Sequence, residues 1–524
     1  MHTVTSSSPP TGLDATLVDE LRSLLPPSAD TRHALAPFTG TPLPSIPQAH
    51  PETVAATAAL ARSAAPQWAR RPVADRARIM LRFGRLLAEH SADLCTLMQW
   101  ETGKARVHAA IEVHGVVSVA LHYGRHGARY LRHRQAPGSI PRVVRAHIDY
   151  RPKGVVGVIA PWNYPLFLAV GDVIPALIAG NSVVSKADSQ APLTLLLALK
   201  LARQAGLPPE VWQVVAGPGA ALGPALIDSV DYLCFTGSTA TGRDIARRCA
   251  ERLIGCSLEL GGKNPMIVRA DAAVDAAAVG AVQACFSNAG QMCIGIERIY
   301  VHDSAYERFV RAFVERTRAL RVAADYSFDT DMGSLTSARQ LDVTTRHVQD
   351  ARRKGAKVLC GGLARPDLGP LFYEPTILTN VTPGMLVHSE ETFGPVVSIY
   401  PVPDDATAIA EANTGRYGLS ASVWTRDLAE GRSVAAQIIA GAVNINDGYL
   451  SAIASLDAPM GGMRDSGLGR RHGPEGILRY TEPQTVTTQR IPTPYPDRHR
   501  WLLVRALSSF ARLTASFAQR FPRR

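Results

Sequence analysis

A cysteine near the middle of the chain has the surroundings that a reactive thiol needs. Cys293 ends the segment 287–293 (SNAGQMC), where a small, flexible turn follows a helical pattern and precedes a strand pattern. A turn of this kind presents a thiol at a helix end, where its thiolate acts as a nucleophile. A lone cysteine is nevertheless more often inert packing. Its chemistry therefore depends on what other segments supply.

Two further polar residues follow apolar strand patterns directly. Asn163 lies in 160–165 (APWNYP), and Glu259 begins 259–265 (ELGGKNP). Ligands of open α/β sheets gather at such strand ends. An asparagine amide there can donate to an oxyanion, and a glutamate can act as a general base. The alternatives are that Asn163 caps the next helix and that Glu259 is a surface or salt-bridged carboxylate.

Two turns have the composition of a nucleotide site. In 235–242 (FTGSTATG), Gly237 and Ser238 stand between a strand pattern and a helix, where backbone amides suit a pyrophosphate. The same pattern occurs in ordinary strand–helix connections, and it is not the GxGxxG fingerprint. In 391–395 (ETFGP), an acid and an aromatic residue precede a strand, although this segment is also compatible with a simple turn.

The elements that must position these residues indicate an α/β protein. Between 155 and 268, short β-branched runs alternate with helical segments, which predicts a parallel sheet with crossover helices. Helical patterns occupy 51–133 before it, and 141–150 alternates like a strand. A second α/β set follows over 270–465.

Composition excludes several other classes of protein. Seven cysteines without a CxxC pair in a 524-residue chain predict reduced thiols in the cytoplasm and no zinc site, so we expect no metal. No signal peptide or membrane span is predicted. The net charge is +11, but residues 491–524 hold seven Arg and one Asp and so carry +6 of it. The nearly balanced remainder argues against nucleic-acid binding.

Taken together, the motifs resemble those of the NAD(P)-dependent aldehyde dehydrogenase superfamily. PWNYP, FTGS, ELGGKNP, GQxC, ETFGPV and MGGMRDSGLGR occur in the family's order and at its spacing, across about 35–490. The resemblance implies an α/β aldehyde dehydrogenase fold with a Rossmann-like parallel-sheet cofactor domain, an α/β catalytic domain and a small oligomerisation β extension. The expected boundaries are a flexible N-terminal arm at 1–30, an NAD(P)-binding domain at 31–133 and 151–261, a catalytic domain at 262–465, oligomerisation strands at 134–150 and 480–490, and a basic amphipathic tail at 491–524.

The resemblance also implies catalytic roles. Cys293 attacks the aldehyde carbon, and its backbone amide and the Asn163 side chain hold the resulting oxyanion. Glu259 activates the water that hydrolyses the thioester and releases a free acid. Family members that transfer the acyl group to coenzyme A generally lack this glutamate. A catalytically silent binding protein is the contrasting hypothesis, which the intact Cys293, Glu259 and Asn163 disfavour.

For the cofactor, the resemblance assigns a set of residues on both sides of the cysteine. They are Trp162 in the cofactor cleft, Lys186 at the adenosine ribose, Gly237 and Ser238 at the pyrophosphate, and Glu391 and Phe393 at the nicotinamide ribose. NAD-specific members often carry a glutamate where this chain has Ser189. Serine removes charge repulsion against a 2′-phosphate and can donate to it. We therefore expect NADP to be preferred and NAD to be possible.

The sequence is most similar to bacterial succinate-semialdehyde dehydrogenases. The best specific expectation is therefore oxidation of succinate semialdehyde to succinate with NADP⁺. Well-defined members of that group carry an arginine eight residues after the asparagine of the PWN motif, but this chain has Gly171, followed by Asp172. An unpaired buried carboxylate is costly. A broad-range aliphatic or aromatic aldehyde dehydrogenase is therefore the alternative.

The end of the chain predicts contacts with other molecules. By resemblance, 485–489 is the family's late strand, which pairs with the 141–150 region across a dimer and implies a homodimer or homotetramer. Beyond it, apolar residues recur every three or four positions and arginines every seven, which describes a basic amphipathic helix. It either packs on protein or makes weak peripheral contact with an anionic membrane. The residues are Leu503, Leu507, Phe510, Leu513, Phe517 and Phe521, with Arg498, Arg505 and Arg512.

Overall fold

A computed structural model describes Pro10 and residues 13–137, 144–489 and 500–520. These residues fall into two compact units, one bounded as Met1–Leu131 with Arg151–Glu482 and the other as Arg132–Tyr150 with Pro483–Arg524. No helix of the described residues is long and apolar enough to cross a membrane.

The helices are α1 (Ala15–Arg22), α2 (Pro51–Arg70), α3 (Val73–Glu89), α4 (Ser91–Thr102), α5 (Arg106–Tyr130), α6 (Phe167–Ile178), α7 (Pro192–Gln204), α8 (Gly219–Ser229), α9 (Thr239–Glu251), α10 (Val274–Phe286), α11 (Asp303–Arg318), α12 (Ala338–Arg353), α13 (Leu386–Ser389), α14 (Asp405–Ala412), α15 (Leu428–Ala435), α16 (Leu450–Ala454), α17 (Gly473–Leu478) and α18 (Arg500–Arg520). The strands are β1 (Thr31–Arg32), β2 (Ile46–Pro47), β3 (Arg134–Pro137), β4 (Val144–Pro152), β5 (Val155–Ile159), β6 (Ser182–Ala187), β7 (Trp212–Ala216), β8 (Tyr232–Thr236), β9 (Gly255–Glu259), β10 (Asn264–Val268), β11 (Ile296–His302), β12 (Lys357–Cys360), β13 (Thr376–Thr379), β14 (Val396–Val402), β15 (Tyr417–Gly418), β16 (Ser420–Trp424), β17 (Ala442–Ile445), β18 (Met463–Arg464), β19 (Gly467–Leu468) and β20 (Thr481–Gln489).

The first large sheet has the order β19-β9-β8-β5-β6-β7, and all its strand pairs are parallel except β19 with β9. Strands β5, β6 and β8 are buried along their whole length, which explains the short apolar runs that each of them contains. The register aligns Ile159 with Lys186 and Thr236 with Glu259. Four candidate segments, those that follow β5, β6, β8 and β9, therefore leave the same edge of one sheet.

The second large sheet carries the cysteine segment. Its order is β12-β13-β14-β11-β10-β16-β17, with only the β12–β13 pair antiparallel. Helix α10 leads into the turn before Cys293, and β11 follows it. The predicted parallel sheet and the predicted second α/β set are thus both present, and the domain boundaries within them stay predictions.

The N-terminal segment differs from the loose arm that its composition suggests. Residues Ala15–Arg22 form α1, which has Asp14 as its N-cap. Val18 and Leu21 are buried, and Lys200 pairs with Glu20. The apolar face of this short helix therefore packs within the larger unit.

In the smaller unit, β20, β4 and β3 form a three-stranded sheet, and β3 and β4 are antiparallel. The predicted strand 141–150 is observed as β4, and its residues 141–143 lie outside the described part. Helix α18 confirms the helical prediction for the tail, although Arg498 and Phe521 and the side chains of Leu503 and Phe517 also lie outside it.

Candidate active site

The turn before Cys293 has an unusual backbone. Asn288 and Ala289 both have φ of 53°, in the left-handed region that non-glycine residues rarely adopt. The buried Gln291 holds this turn, since its Nε2 donates to the Asn288 carbonyl at 3.0 Å and its Oε1 accepts the Thr336 amide at 2.9 Å. The Gln291 side chain therefore maintains the conformation that presents the thiol, through one bond within the turn and one to the Thr336 backbone.

Asn264 fixes the backbone of the cysteine itself. Its Nδ2 donates to the carbonyls of Cys293 and Gly295, both at 2.8 Å, and its Oδ1 accepts the Ser420 amide at 3.0 Å. Gly262 permits the close approach, because a Cβ there would lie 2.6 Å from the Cys293 carbonyl oxygen. We did not assign Asn264 a role from sequence, although it stands inside the ELGGKNP motif.

Asn163 lies on the loop after β5, buried against the cysteine turn. Its Nδ2 donates to the Gln291 carbonyl at 3.1 Å, and its own carbonyl accepts the Asn288 Nδ2 at 3.0 Å. Helix α6 begins at Phe167 with Leu166 as its N-cap and without a side-chain cap. The helix-capping alternative for Asn163 is therefore wrong, and its side chain is directed toward the cysteine segment.

A buried ion pair between Lys104 and Glu112 supports the loop that contains Asn163; Glu112 lies on α5, and Lys104 lies just before that helix. Lys104 is fully buried, pairs with Glu112 and donates to the Asn163 carbonyl at 2.8 Å. Glu112 Oε1 accepts the amides of Leu166 and Phe167 at 2.8 and 2.9 Å. Burial lowers the pKa of Lys104, whereas Glu112 opposes the change. Nothing in the local sequence distinguishes this pair from ordinary helix charges, so it was not predicted.

Glu259 is buried at the end of β9, which excludes the surface alternative. Its Oε1 has no hydrogen-bond partner among the described residues. Burial raises the pKa of Glu259 to about 7, although Arg471 and Arg479 oppose the rise. The carboxyl group is thus placed to exchange a proton near neutral pH.

Cys293 and Glu259 line one cavity, which spans about 760 Å³ with its opening. Burial raises the pKa of the Cys293 thiol to about 12, Glu259 and Glu391 add to the rise, and Arg471 opposes it. The thiol therefore needs a base to ionise at neutral pH. Most of the other lining side chains are apolar, with His108, Glu112 and Arg471 as the ionisable exceptions. The apolar and aromatic part of the lining, with one glycine, consists of Ile111, Gly115, Tyr164, Phe167, Leu168, Met292, Ile294, Leu419, Tyr449, Ile453 and Met460.

Arg471 reaches this cavity from the chain just beyond the MGGMRDSGLGR motif. Its Nε and Nη2 donate to the two carboxylate oxygens of Asp172 at 2.9 and 2.8 Å, and Nη2 also donates to Thr236 Oγ1 at 2.7 Å. Sequence reasoning noted Asp172 only as the neighbour of Gly171. It did not predict this pair, because the two partners belong to distant segments.

The predicted pyrophosphate turn follows β8. The Gly237 amide donates to the Glu259 carbonyl at 3.0 Å, and a Cβ at Gly237 would lie 2.5 Å from the Phe235 ring. Ser238 is the N-cap of α9 and accepts the Thr241 amide at 3.3 Å. The remaining amides of this helix N-terminus can bind an anion.

Lys186 lies near the end of β6, and Ser189 lies just beyond that strand. Burial lowers the pKa of Lys186, and Asp188 opposes the change. Lys186 Nζ has no hydrogen-bond acceptor among the described residues, whereas Ser189 Oγ donates to the Gly217 carbonyl at 3.3 Å. A buried cation without an acceptor fits a site for ribose hydroxyl or phosphate groups.

The structure places Trp162 beside Phe393, and Glu391 precedes Phe393 by two residues. The rings of Trp162 and Phe393 meet edge to face with centroids 5.7 Å apart. Phe393 has φ of 53°, and Glu297 accepts its amide at 2.9 Å. Glu391 accepts the Gly262 amide at 2.9 Å, and burial with Glu297 nearby raises the pKa of Glu391 to about 8. These three residues lie outside the cavity that Cys293 and Glu259 share.

With this geometry established, comparison with known proteins decides the family. The model of the aldehyde dehydrogenase family matches residues 25–486. The chain belongs to the aldehyde dehydrogenase family. Its activity is therefore the oxidation of an aldehyde to a carboxylic acid, and the predicted fold and enzyme class are confirmed.

Individual relatives agree with this assignment. Over 454 residues the chain is 53% identical to a Mycolicibacterium smegmatis protein named "Putative succinate-semialdehyde dehydrogenase [NADP(+)]", covering 87% of this chain and 88% of the relative. An E. coli structure described as an NADP dependent enzyme is 35% identical, with a TM-score of 0.84 and coverage of 88% and 95%. The NAD⁺ complex of a Bacillus cereus aldehyde dehydrogenase is 33% identical, with a TM-score of 0.86 and coverage of 91% and 99%.

Proposed function

We propose that Cys293, Glu259 and Asn163 carry out aldehyde oxidation in this protein. The thiolate of Cys293 attacks the aldehyde carbon, and the Asn163 Nδ2 and the Cys293 backbone amide donate to the oxyanion. The hydride of this thiohemiacetal would then leave for a bound nicotinamide cofactor, and a thioester remains on Cys293. Glu259 then takes a proton from the water that hydrolyses the thioester, which releases the acid.

One observation carries this proposal: Cys293 and Glu259 line the same cavity, and Glu259 presents an oxygen without a partner. A thiol with a pKa of about 12 is almost wholly protonated at pH 7. A carboxyl group with a pKa of about 7 is half ionised there and can accept the proton. Glu259 therefore serves as the base for the thiol, releases that proton to solvent, and then serves as the base for the water.

Substitution of the cysteine tests the assignment. Cys293→Ala should lower the rate of NADPH formation by at least about 1,000-fold, as removal of a nucleophile does elsewhere. Cys360→Ala is the matched control, because this thiol is also half-buried but lies on β12, away from the cavity. Retention of activity in Cys293→Ala would refute the mechanism.

We propose NADP⁺ as the preferred cofactor, with NAD⁺ accepted. The M. smegmatis relative is named for NADP(+), and the E. coli structure is described as NADP dependent. Ser189 adds no negative charge beside the buried Lys186. Ser189→Glu should therefore lower the ratio of kcat/KM for NADP⁺ to that for NAD⁺ by at least about 30-fold, whereas Ser189→Ala should change it much less. An unchanged ratio in Ser189→Glu would exclude this site.

We propose succinate semialdehyde as the substrate and succinate as the product. The support is the name of the M. smegmatis relative together with its 53% identity over 454 residues. The second candidate is a broad range of aliphatic or aromatic aldehydes, which the apolar lining of the cavity favours. A panel of kcat/KM values for succinate semialdehyde, butanal, hexanal and benzaldehyde with both cofactors separates the candidates. The semialdehyde should have the highest value.

We propose that the protein is a homodimer or homotetramer in the cytoplasm. The strands β3, β4 and β20 form their own sheet in the smaller unit, as an oligomerisation extension would. Seven free thiols suit a reducing compartment. Light scattering should give twice or four times the 56.2 kDa chain mass, and a monomer mass at micromolar concentration would contradict the oligomer.

We further propose weak peripheral contact of α18 with an anionic membrane. The helix carries arginines and no acidic residue, and its Leu507, Phe510 and Leu513 are exposed. Full-length protein should co-sediment with phosphatidylglycerol vesicles more than with phosphatidylcholine vesicles, and Phe510→Glu should reduce this binding. Equal pelleting of the two proteins would favour packing of the helix on a sister subunit.

A further inference from the structure

A cationic cluster forms part of the wall of the catalytic cavity. Arg471 is only 9% exposed and lines the cavity together with Cys293 and Glu259. Two of its guanidinium nitrogens are used by Asp172 and Thr236. The third, Nη1, forms no hydrogen bond with any residue that the structure describes. One nitrogen of this buried guanidinium, Nη1, is thus left to donate to a ligand.

This cluster has an excess of positive charge. Arg479 Nη2 also donates to Asp172, at 2.5 Å, so two guanidiniums share one carboxylate. Burial raises the pKa of Asp172, but the two arginines outweigh burial and keep that pKa below its usual value. The three groups therefore carry a net charge of +1. Glu259 and Arg470 are also close enough to interact electrostatically with this cluster.

The remaining lining residues offer an anion no other cationic partner. Burial and the charge of Lys104 lower the pKa of His108 to about 4, so this histidine is neutral at pH 7. Glu112 is already paired with Lys104. Among the described residues that line the cavity, Arg471 is therefore the single cation.

Position 171 supplies no cation for a substrate carboxylate in this chain, because it is a glycine. Well-defined succinate-semialdehyde dehydrogenases have an arginine there, whereas Gly171 leaves open space, since a Cβ would meet no atom within 4 Å. Gly171 lines a small second cavity together with Arg471, Arg479 and Phe167. The guanidinium of Arg471 is thus a neighbour of the position from which the expected arginine is missing.

We propose that Arg471 binds the distal carboxylate of the substrate, with Asp172 and Arg479 as positioning residues that hold its guanidinium. The free Nη1 donates to the carboxylate while the aldehyde reaches Cys293. The apolar side chains of the cavity then surround the methylene groups. This inference rests on the proposed oxidation of succinate semialdehyde, and it extends to other short aldehydes with a terminal carboxylate.

The test compares succinate semialdehyde with butanal, which has the same chain length but lacks the carboxylate. Arg471→Met should lower the ratio of their kcat/KM values by at least about 30-fold, as loss of a buried charged partner does. The ratio cancels any effect of the substitution on Cys293 or Glu259, because both substrates need these groups. Arg471→Lys should keep part of the selectivity, since it keeps the charge.

Arg470→Met is the matched control, because it removes the adjacent positive charge from a residue that does not line the cavity. Its selectivity ratio should stay within about threefold of wild type, as expected for a more distant charge. Calorimetric titration of wild-type enzyme with succinate and with butyrate gives a second measurement without turnover. Succinate should bind more tightly, and Arg471→Met should remove the difference.

The outcomes separate the two proposals. If the wild-type enzyme oxidises butanal better than succinate semialdehyde, the substrate assignment fails and the role of Arg471 fails with it. If the wild-type enzyme prefers the semialdehyde but Arg471→Met keeps both the ratio and the succinate affinity, only the role of Arg471 is refuted. Loss of selectivity in Arg471→Met but not in Arg470→Met would support the proposal.

Discussion

Replacement of Glu259 by glutamine removes the base without changing the shape of the side chain. With a pKa of about 7, Glu259 is about 10% ionised at pH 6 and about 90% ionised at pH 8. If thioester hydrolysis limits turnover, kcat of the wild-type enzyme should rise about tenfold between these pH values. Glu259→Gln should lose this rise, and its kcat should fall by about 100- to 10,000-fold, the usual contribution of a general base.

Stopped-flow measurement of NADPH formation identifies the affected step. Since Glu259 is proposed to accept the thiol proton as well, the first turnover of Glu259→Gln enzyme should also become slow below pH 8. A rapid burst of one NADPH per active site followed by a slow steady rate would show that another base ionises Cys293 and that Glu259 acts only on the water. Asp75→Asn, on the exposed side of α3, is the control for removal of a carboxylate. A Glu259→Gln enzyme with wild-type kcat and an unchanged pH profile would refute the assignment of Glu259.

Three other substitutions test the framework of the site. Asp172→Asn leaves two buried arginines without their anion and should lower the free energy of unfolding by about 3–5 kcal/mol, seen as a lower denaturant midpoint. Since the folded pKa of Asp172 is depressed, its stabilisation is present above the unfolded pKa near 4 and is lost as the pH falls further. Asn264→Ala frees the carbonyl of Cys293 and should lower kcat/KM by about 100-fold with folding retained; unchanged kinetics would contradict this positioning role. In Arg471→Met enzyme, Gly171→Arg places a cation in open space and should raise the ratio of semialdehyde to butanal kcat/KM about tenfold; no rise would show that the cation does not reach the substrate.

Much of the catalytic assignment was predictable because its residues lie in short segments with strong local constraints. Gly237 and Gly262 stand where a Cβ would collide with Phe235 or with the Cys293 carbonyl, so their motifs tolerate little change. Glu259 stands three residues before Gly262, and Cys293 ends the turn 287–293. Continuous apolar runs likewise predict buried parallel strands without any knowledge of their neighbours.

The supporting residues were not predictable in the same way. Lys104 and Glu112 resemble ordinary helix charges until the fold encloses them beneath the Asn163 loop. Asn264 lay inside a recognised motif, but its two carbonyl acceptors come from a segment that is about thirty residues away. Hydrogen bonds between distant segments have no periodicity or spacing for a sequence pattern to reveal.

The amino-acid sequence alone therefore determined the family. It also predicted Cys293 as the nucleophile and Glu259 as the base. Tertiary structure decided the electrostatics: burial sets the pKa of Glu259 near 7 and that of Cys293 near 12. It also decided that Arg471, paired with Asp172, is the cation at the cavity wall where Gly171 offers none. Charge and burial depend on which surfaces meet in three dimensions. The consequence of Gly171 could therefore be judged only after the fold had brought Arg471 to Asp172.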